Sequence, residues 1–425
     1  MTCSEDQRER NGALNPAVAT HANGTTDPWP SGMTRPLSSL GKGRTSWALA
    51  LVGLMFPALA GAQYTYVTNT PNTNTITITG YTEAGEDVEI PTQIGGKTVT
   101  VIGLGAFNGS SIRSVTVPDS VTYISHVAFQ DCSSLTNIVI GNGVRTIGAG
   151  AFKGSGLTSV TIPSNVTSIL DLYFSGQAGA FQDCTGLTNV LIGDGLKEIS
   201  DMTFESCRML RCMVIGKALT RIGNYAFDGC ISLTNTALPN TLTNIGTGAF
   251  SSCASLTSIE IPDSVTSIGA FAYNGCASLT NLVIGDGVTY IGDFAFSQSC
   301  KVSNLVIGNG VTNIAFGVFC TGGLANLVIG NSVTGIPTNV FGDITNLTNV
   351  VIGSGVNTIG SSAFANCSGL RNVVIGSGVK SIGFMAFWGC SRLTSIDIPD
   401  SVTNIVDGAF YHCESVTNVV IGDGV

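Results

Sequence analysis

The chain has 425 residues and a net charge of −9; 11% of its residues are charged, 44% are hydrophobic and 54 are glycine. So apolar and charge-poor a composition excludes a disordered chain. An acidic protein without a Lys/Arg run also lacks the electrostatic footprint for nucleic acid or an anionic membrane surface.

Residues 1–41 are rich in Asn, Thr, Pro and Gly and read as an unstructured leader. Lys42 and Arg44 then precede an apolar run of 14 residues from Trp47 to Ala60, and Ala60-Gly61-Ala62 stands before Gln63. A charged flank, a short apolar core and a small-x-small site predict a secretory signal. Residues 1–62 are thus expected to be a disordered leader plus a signal peptide. The flank is long for a signal, which points to a start at Met33. The apolar run is short for a bilayer span, and no membrane insertion is expected after signal removal.

Residues 63–87 are expected to form an N-terminal cap. Tyr64 to Thr68 and Thr75 to Thr79 alternate polar with aromatic or β-branched residues around Pro71-Asn72-Thr73-Asn74, the pattern of a β-hairpin. A looser coil then begins near Val88-Glu89-Ile90-Pro91, with Gly95-Gly96 as an extra turn.

From there to residue 425 one unit recurs. In its clearest form it reads Leu135-x-x-Ile138-x-Ile140-Gly-Asn-Gly-Val144-x-x-Ile147-Gly-x-x-Ala151-Phe152, and its frame returns every 22 or 23 residues, with one step of 30. A fixed period in this range predicts a solenoid, in which each unit buries its apolar face only against its neighbours. A repeat array can grow along one axis without a central core, so the length implies no division into ordinary domains.

Within a coil, Leu-x-x-Ile-x-Ile ends in period-2 alternation and predicts a short strand. Pro or Gly follows, then Asp, Asn or Ser, residues that suit a turn. Val-x-x-Ile returns along a second side. Ala-Phe-x-x-Cys is expected to make a short helical or 3₁₀ turn on a third side, with the aromatic residue as the large core plug. The plugs are Phe107, Phe129, Phe152, Phe204, Phe227, Phe250, Tyr273, Phe296, Phe319, Phe341, Phe364, Phe387 and Phe410. In the one long coil Phe174 and Phe181 compete for a single slot, and the extra residues are expected to bulge outward.

Nine of the 13 cysteines stand three residues after a plug: Cys132, Cys184, Cys207, Cys230, Cys253, Cys276, Cys367, Cys390 and Cys413. Stacked coils would line them up at the strand spacing of about 4.8 Å. They read as buried thiols acting as small hydrophobes. A metal site is the alternative, but a linear column cannot make a tetrahedron. Cys212 falls at an outward strand position and is expected to be a surface thiol.

Chemistry-bearing motifs are scarce. There are 3 histidines, and His126 and His412 lie many coils apart. No nucleophile elbow, phosphate loop or His-Glu-x-x-His pattern occurs. Asp263 with Asp286, and Asp400 with Asp423, would stack on adjacent coils; turn capping competes here with calcium, which wants six to eight oxygens. No cofactor, no metal site and no enzymatic activity are expected.

The unit Leu-Thr-Ser-Ile-x-Ile-Pro-Asp-Ser-Val-Thr-Ser-Ile-Gly-x-x-Ala-Phe-x-x-Cys, nearly whole at Leu256–Cys276, resembles the BspA-like leucine-rich repeats of bacterial surface proteins. The resemblance covers residues 88–425. It implies a strand-dominated, right-handed leucine-rich repeat solenoid of the β/α horseshoe type, with about 14 coils. It also implies a secreted or surface-attached protein that adheres to proteins or cells, and it brings no catalytic residues.

The outward strand positions flank the second apolar residue of each strand. They predict an Asn ladder, Asn281, Asn304, Asn326, Asn349 and Asn372, beside a Val stripe, Val283, Val306, Val328, Val351 and Val374. Contiguous exposed apolar area marks interaction sites, whereas β-branched residues also simply suit a sheet surface. The expected function is therefore a protein-binding or adhesion module for an extracellular protein or glycan ligand. The alternative is a structural spacer or stalk with no ligand of its own. The chain stops at Val425 halfway through a coil with no polar cap, so a longer protein with a further C-terminal part is expected.

Overall fold

The computed structural model of the protein describes residues 63–83, 86–171, 178–299, 301–312, 314, 318 and 323–425. The leader and signal, Phe174 and Phe319 lie outside the described residues.

The chain winds into a strand-dominated solenoid of about 14 turns. Each regular coil gives one front strand, such as Asn281–Ile284, and one two-residue side strand, such as Tyr290–Ile291. Both run parallel and in register with the same strand of the next coil: Leu282 pairs with Leu305 and Ile284 with Ile307 on the front, and Ile268 with Ile291 on the side. The alternation of the sequence becomes the alternation of burial, since Leu282 and Ile284 are buried while Asn281 and Val283 face outward. The step of 22 or 23 residues maps like onto like, so every core residue packs under its own equivalent.

The turn after the front strand explains its glycines. A Cβ on Gly287 would lie 1.8 Å from the Asp263 carbonyl oxygen of the coil before. Backbones stacked this closely leave room for hydrogen only.

On the third side the expected helical or 3₁₀ turn is absent, and no helix occurs among the described residues. Left-handed residues interrupt it two positions before and two after the plug, for example Tyr225 (φ 54°) and Gly229 (φ 72°) around Phe227. Between them alternate N–H groups divide their work. The Asp228 N–H closes back on the Tyr225 carbonyl at 3.1 Å, whereas the Phe227 N–H donates at 2.8 Å to the Ala249 carbonyl of the next coil. A helix would spend both bonds within the segment; this conformation spends half of them tying coils together.

The described plugs stack ring on ring, from Phe107 to Phe296 and from Phe341 to Phe410. Phe204, Phe227 and Phe250 stack at 5.3 and 5.1 Å with planes 8–9° apart. In the long coil Phe181 takes the slot, 5.0 Å from Phe152 and 5.3 Å from Phe204. The N-terminal hairpin, Tyr64–Thr68 with Thr75–Tyr81, pairs antiparallel within itself and parallel onto Lys97–Ile102 of the first coil. It also continues the column: Tyr81 stacks on Phe107 at 5.2 Å, and Tyr64 lies 5.4 Å beyond Tyr81. Sequence patterning places a hairpin there but not this aromatic lid, because neither tyrosine carries the repeat frame.

Candidate functional site

The front sheet brings the predicted Asn and Val residues together. Its longest stretch is six-stranded and runs from Ser258–Ile261 to Asn372–Val374. Asn281 pairs with Asn304, then Asn326, Asn349 and Asn372 in order, and Val283 pairs with Val306, Val328, Val351 and Val374.

The asparagines make a true amide ladder over four coils. Asn326 Nδ2 donates to Asn304 Oδ1 at 2.7 Å, Asn349 to Asn326 at 2.7 Å, and Asn372 to Asn349 at 2.8 Å. The two inner amides, Asn326 and Asn349, each serve as donor to one neighbour and acceptor to the other, which orients the column as a whole. Beside it Val306, Val328, Val351 and Val374 are 37, 38, 39 and 57% exposed, while Val283 is half-buried. Carboxylates bound the stripe: Glu260 pairs with Val283 at one end, and Asp397 holds the equivalent place in the coil after Val374. At about 4.8 Å per strand, the face offers an apolar strip roughly 20 Å long with a hydrogen-bonding edge.

The stacked aspartates prove to be turn caps. Asp263 Oδ1 accepts the Asp286 N–H at 2.8 Å, and Asp286 Oδ1 accepts the Asn309 N–H at 2.8 Å. The Asn309 backbone and side-chain amides hold the Asp286 carboxyl below its usual range. Asp400 does the same for Asp423 at 3.1 Å. No group of three His, Cys, Asp or Glu residues suited to a metal ion occurs among the described residues.

Eight of the nine thiols in the column are buried and Cys413, in the last coil, is half-buried; the thiols do more than fill space. Cys207 Sγ donates to the Phe181 carbonyl of the preceding coil at 3.2 Å, Cys230 to Phe204 at 3.3 Å and Cys253 to Phe227 at 3.3 Å. The residue three places past one plug therefore caps the carbonyl of the plug before it, a role periodicity cannot reveal. Where Ser299 stands in the column, its hydroxyl makes the same bond to Tyr273 at 2.9 Å. Burial pushes these thiols up, Cys184 to about 12 and Cys207 well above the ordinary value, so they are held protonated as donors. Cys212 corrects an expectation: it is half-buried and disulfide-bonded, not a surface thiol.

Of the histidines, His126 Nδ1 accepts the Ala149 N–H at 2.9 Å, and burial lowers its pKa. His412 stands 3.5 Å from the Glu414 carboxylate. Neither faces a nucleophile.

One feature of the front face escaped the periodic reading. Among the described residues, the coil that starts at Leu233 is the one whose front segment forms no strand. Thr236 there occupies the register of a core Ile or Val, such as Ile259. That substitution was the available signal.

No helix of the described residues is long and apolar enough to cross a membrane. The profile of the BspA type leucine rich repeat region matches in 6 copies, over residues 86–178, 177–266, 203–323, 243–370 and 313–425. Among solved structures, a leucine-rich repeat protein from Bacteroides ovatus is similar at 26% identity, with 86% of this chain and 89% of that chain covered and a TM-score of 0.53. A leucine rich cell surface protein from Faecalibacterium prausnitzii shares 24% identity over 85% of this chain and 94% of its own, with a TM-score of 0.34. The pneumococcal vaccine antigen PcpA shares 18% identity over 86% and 98%, with a TM-score of 0.45. No curated protein matches.

Proposed function

The chain belongs to the BspA-type leucine-rich repeat family, and from that premise we propose that it is a secreted or cell-surface binding module. Its ligand face is the Asn–Val surface from Asn281 and Val283 to Asn372 and Val374. The signal at Trp47–Ala62 supports export. The observation that carries the binding reading is the in-register exposure of Val306, Val328, Val351 and Val374 beside an oriented amide ladder.

A partner that covers the four exposed valines gains apolar burial of about 25 cal/mol per Å². The amide edge adds register to that contact, because a ladder with a fixed donor direction is met by one orientation of a partner's polar groups. The function proposed assigns no reaction.

The test is binding of the secreted chain to immobilised extracellular-matrix proteins and to epithelial cells, with and without Val306→Asp plus Val328→Asp. Loss of binding with an unchanged circular dichroism spectrum and melting temperature supports the reading. Retained binding by the double variant removes the stripe from the function. Absence of any retained partner for the unaltered chain favours a spacer that merely holds other parts away from a surface.

A further inference from the structure

Thr236 is buried, yet its hydroxyl has no hydrogen-bond partner. It lies at the gap in the front sheet. On one side the sheet ends at Cys212–Val214, and on the other it restarts at Ser258–Ile261; the segment between pairs with neither edge. The cause is local. A threonine at a core position leaves its hydroxyl among apolar neighbours, and Leu238, the equivalent of the fully buried Ile261, is only half-buried. The coil has drawn back from the stack at this point.

The withdrawal leaves an open depression of about 380 Å³ on the outer face. Thr236 lines it together with the Asn235 and Asn240 amides, the Ser258 hydroxyl and the Glu260 carboxylate. Leu238 and Pro262 supply an apolar wall. The lining thus holds hydroxyls and amides that both donate and accept, one fixed acceptor, and no Lys or Arg.

We propose that this gap is a binding site for a single neutral sugar residue of a glycan. The chemistry selects that class step by step. A carboxylate with no cation in the lining rejects anions. Three further polar side chains, Asn235, Asn240 and Ser258, leave an apolar ligand with unmade hydrogen bonds, which binding sites strongly disfavour. A peptide strand cannot insert, because residues 234–238 already occupy the space between the two sheet edges. A hexose is amphipathic in the required sense: its hydroxyl edge meets the Glu260, Asn235 and Ser258 groups, and its C–H face packs on Leu238 and Pro262. The site abuts the Val283 end of the Val stripe through Glu260 but lies two coils from Val306 and does not use the stripe's valines.

Saturation-transfer-difference NMR on the full chain tests this, with glucose, galactose, mannose and N-acetylglucosamine as free probes at millimolar concentration and methylammonium as the cationic control. At least one sugar is expected to bind. Glu260→Gln should weaken it by roughly tenfold to a hundredfold and Asn235→Ala by up to about tenfold, the ranges for charged and neutral hydrogen bonds. Val306→Asp plus Val328→Asp should leave it unchanged. Glu260 and Asn235 are both exposed, so their variants report on the site without altering the core. Failure of all four sugars, binding of methylammonium alone, or sugar binding indifferent to Glu260→Gln overturns the proposal. Sugar binding lost in the stripe variant places it elsewhere and overturns it equally.

Discussion

Phe227 lies over Phe250 with ring centroids 5.1 Å apart and planes 9° from parallel. Both are fully buried, and the contact repeats from coil to coil. Replacing Phe227 by Ala removes a ring that touches plugs above and below, and the column cannot collapse around the gap because its neighbours are fixed by their own ladders. The expected loss is about 3–5 kcal/mol, read by urea denaturation. A loss under about 1 kcal/mol would mean that the column fills space without holding the array.

Tyr273 is the exception in that column. Its ring stacks at 5.1 Å on Phe250 and 5.3 Å on Phe296, but its hydroxyl is buried with no partner. Burial, with the neighbouring Cys276 and Cys253, pushes its pKa well above the ordinary value. Tyr273→Phe keeps the ring and removes the stranded group, so it should stabilise the protein by roughly 1–3 kcal/mol, the penalty for an unsatisfied buried hydroxyl. A lower melting temperature in the variant would show that the hydroxyl is satisfied in solution.

These two residues also mark how far the sequence can be read. The period announces the plug column, the Asn and Val columns and the turn caps, because stacking puts equivalent positions in contact and each coil repeats the same residue types. What it leaves dark are relations between unlike positions. The bond from Cys207 to the Phe181 carbonyl joins two different places in the frame. Tyr81 covers Phe107 from outside the frame. The third side resists for another reason: Tyr225, Phe271 and Phe294 all have positive φ, a conformation their types disfavour, so local propensity points to a helical turn while the inter-coil ladder imposes another path.

That imposed conformation has a measurable cost. Ser252 (φ 59°) and Gly229 (φ 72°) hold equivalent left-handed positions two residues after their plugs. Ser252 is exposed, so Ser252→Gly relieves the backbone without losing packing and should stabilise by up to about 1 kcal/mol. The converse change, Gly229→Ala, adds a Cβ that meets no atom closer than 3.6 Å, so its effect isolates backbone strain, about 1–2 kcal/mol. Opposite shifts in melting temperature are the expected pair. Shifts of the same sign would show that side-chain packing, not φ, decides these sites.

His126 gives the array a pH dependence of definite sign. Its Nδ1 accepts the Ala149 N–H, which requires the neutral ring, and burial lowers its pKa below the ordinary 6.5. Below pH 6.5 the unfolded chain takes up a proton that the folded chain refuses, so stability falls as the pH drops until the folded group also titrates. The contribution is therefore fully present above about pH 6.5 and is lost on acidification. His126→Gln keeps an acceptor for the Ala149 N–H without a titrating ring. Melting temperatures of the two proteins should run parallel above pH 7 and diverge below 6.5, with the unaltered chain falling faster. Parallel curves down to pH 5 would mean that the folded ring takes up its proton as readily as the unfolded one, with Ala149 finding another acceptor.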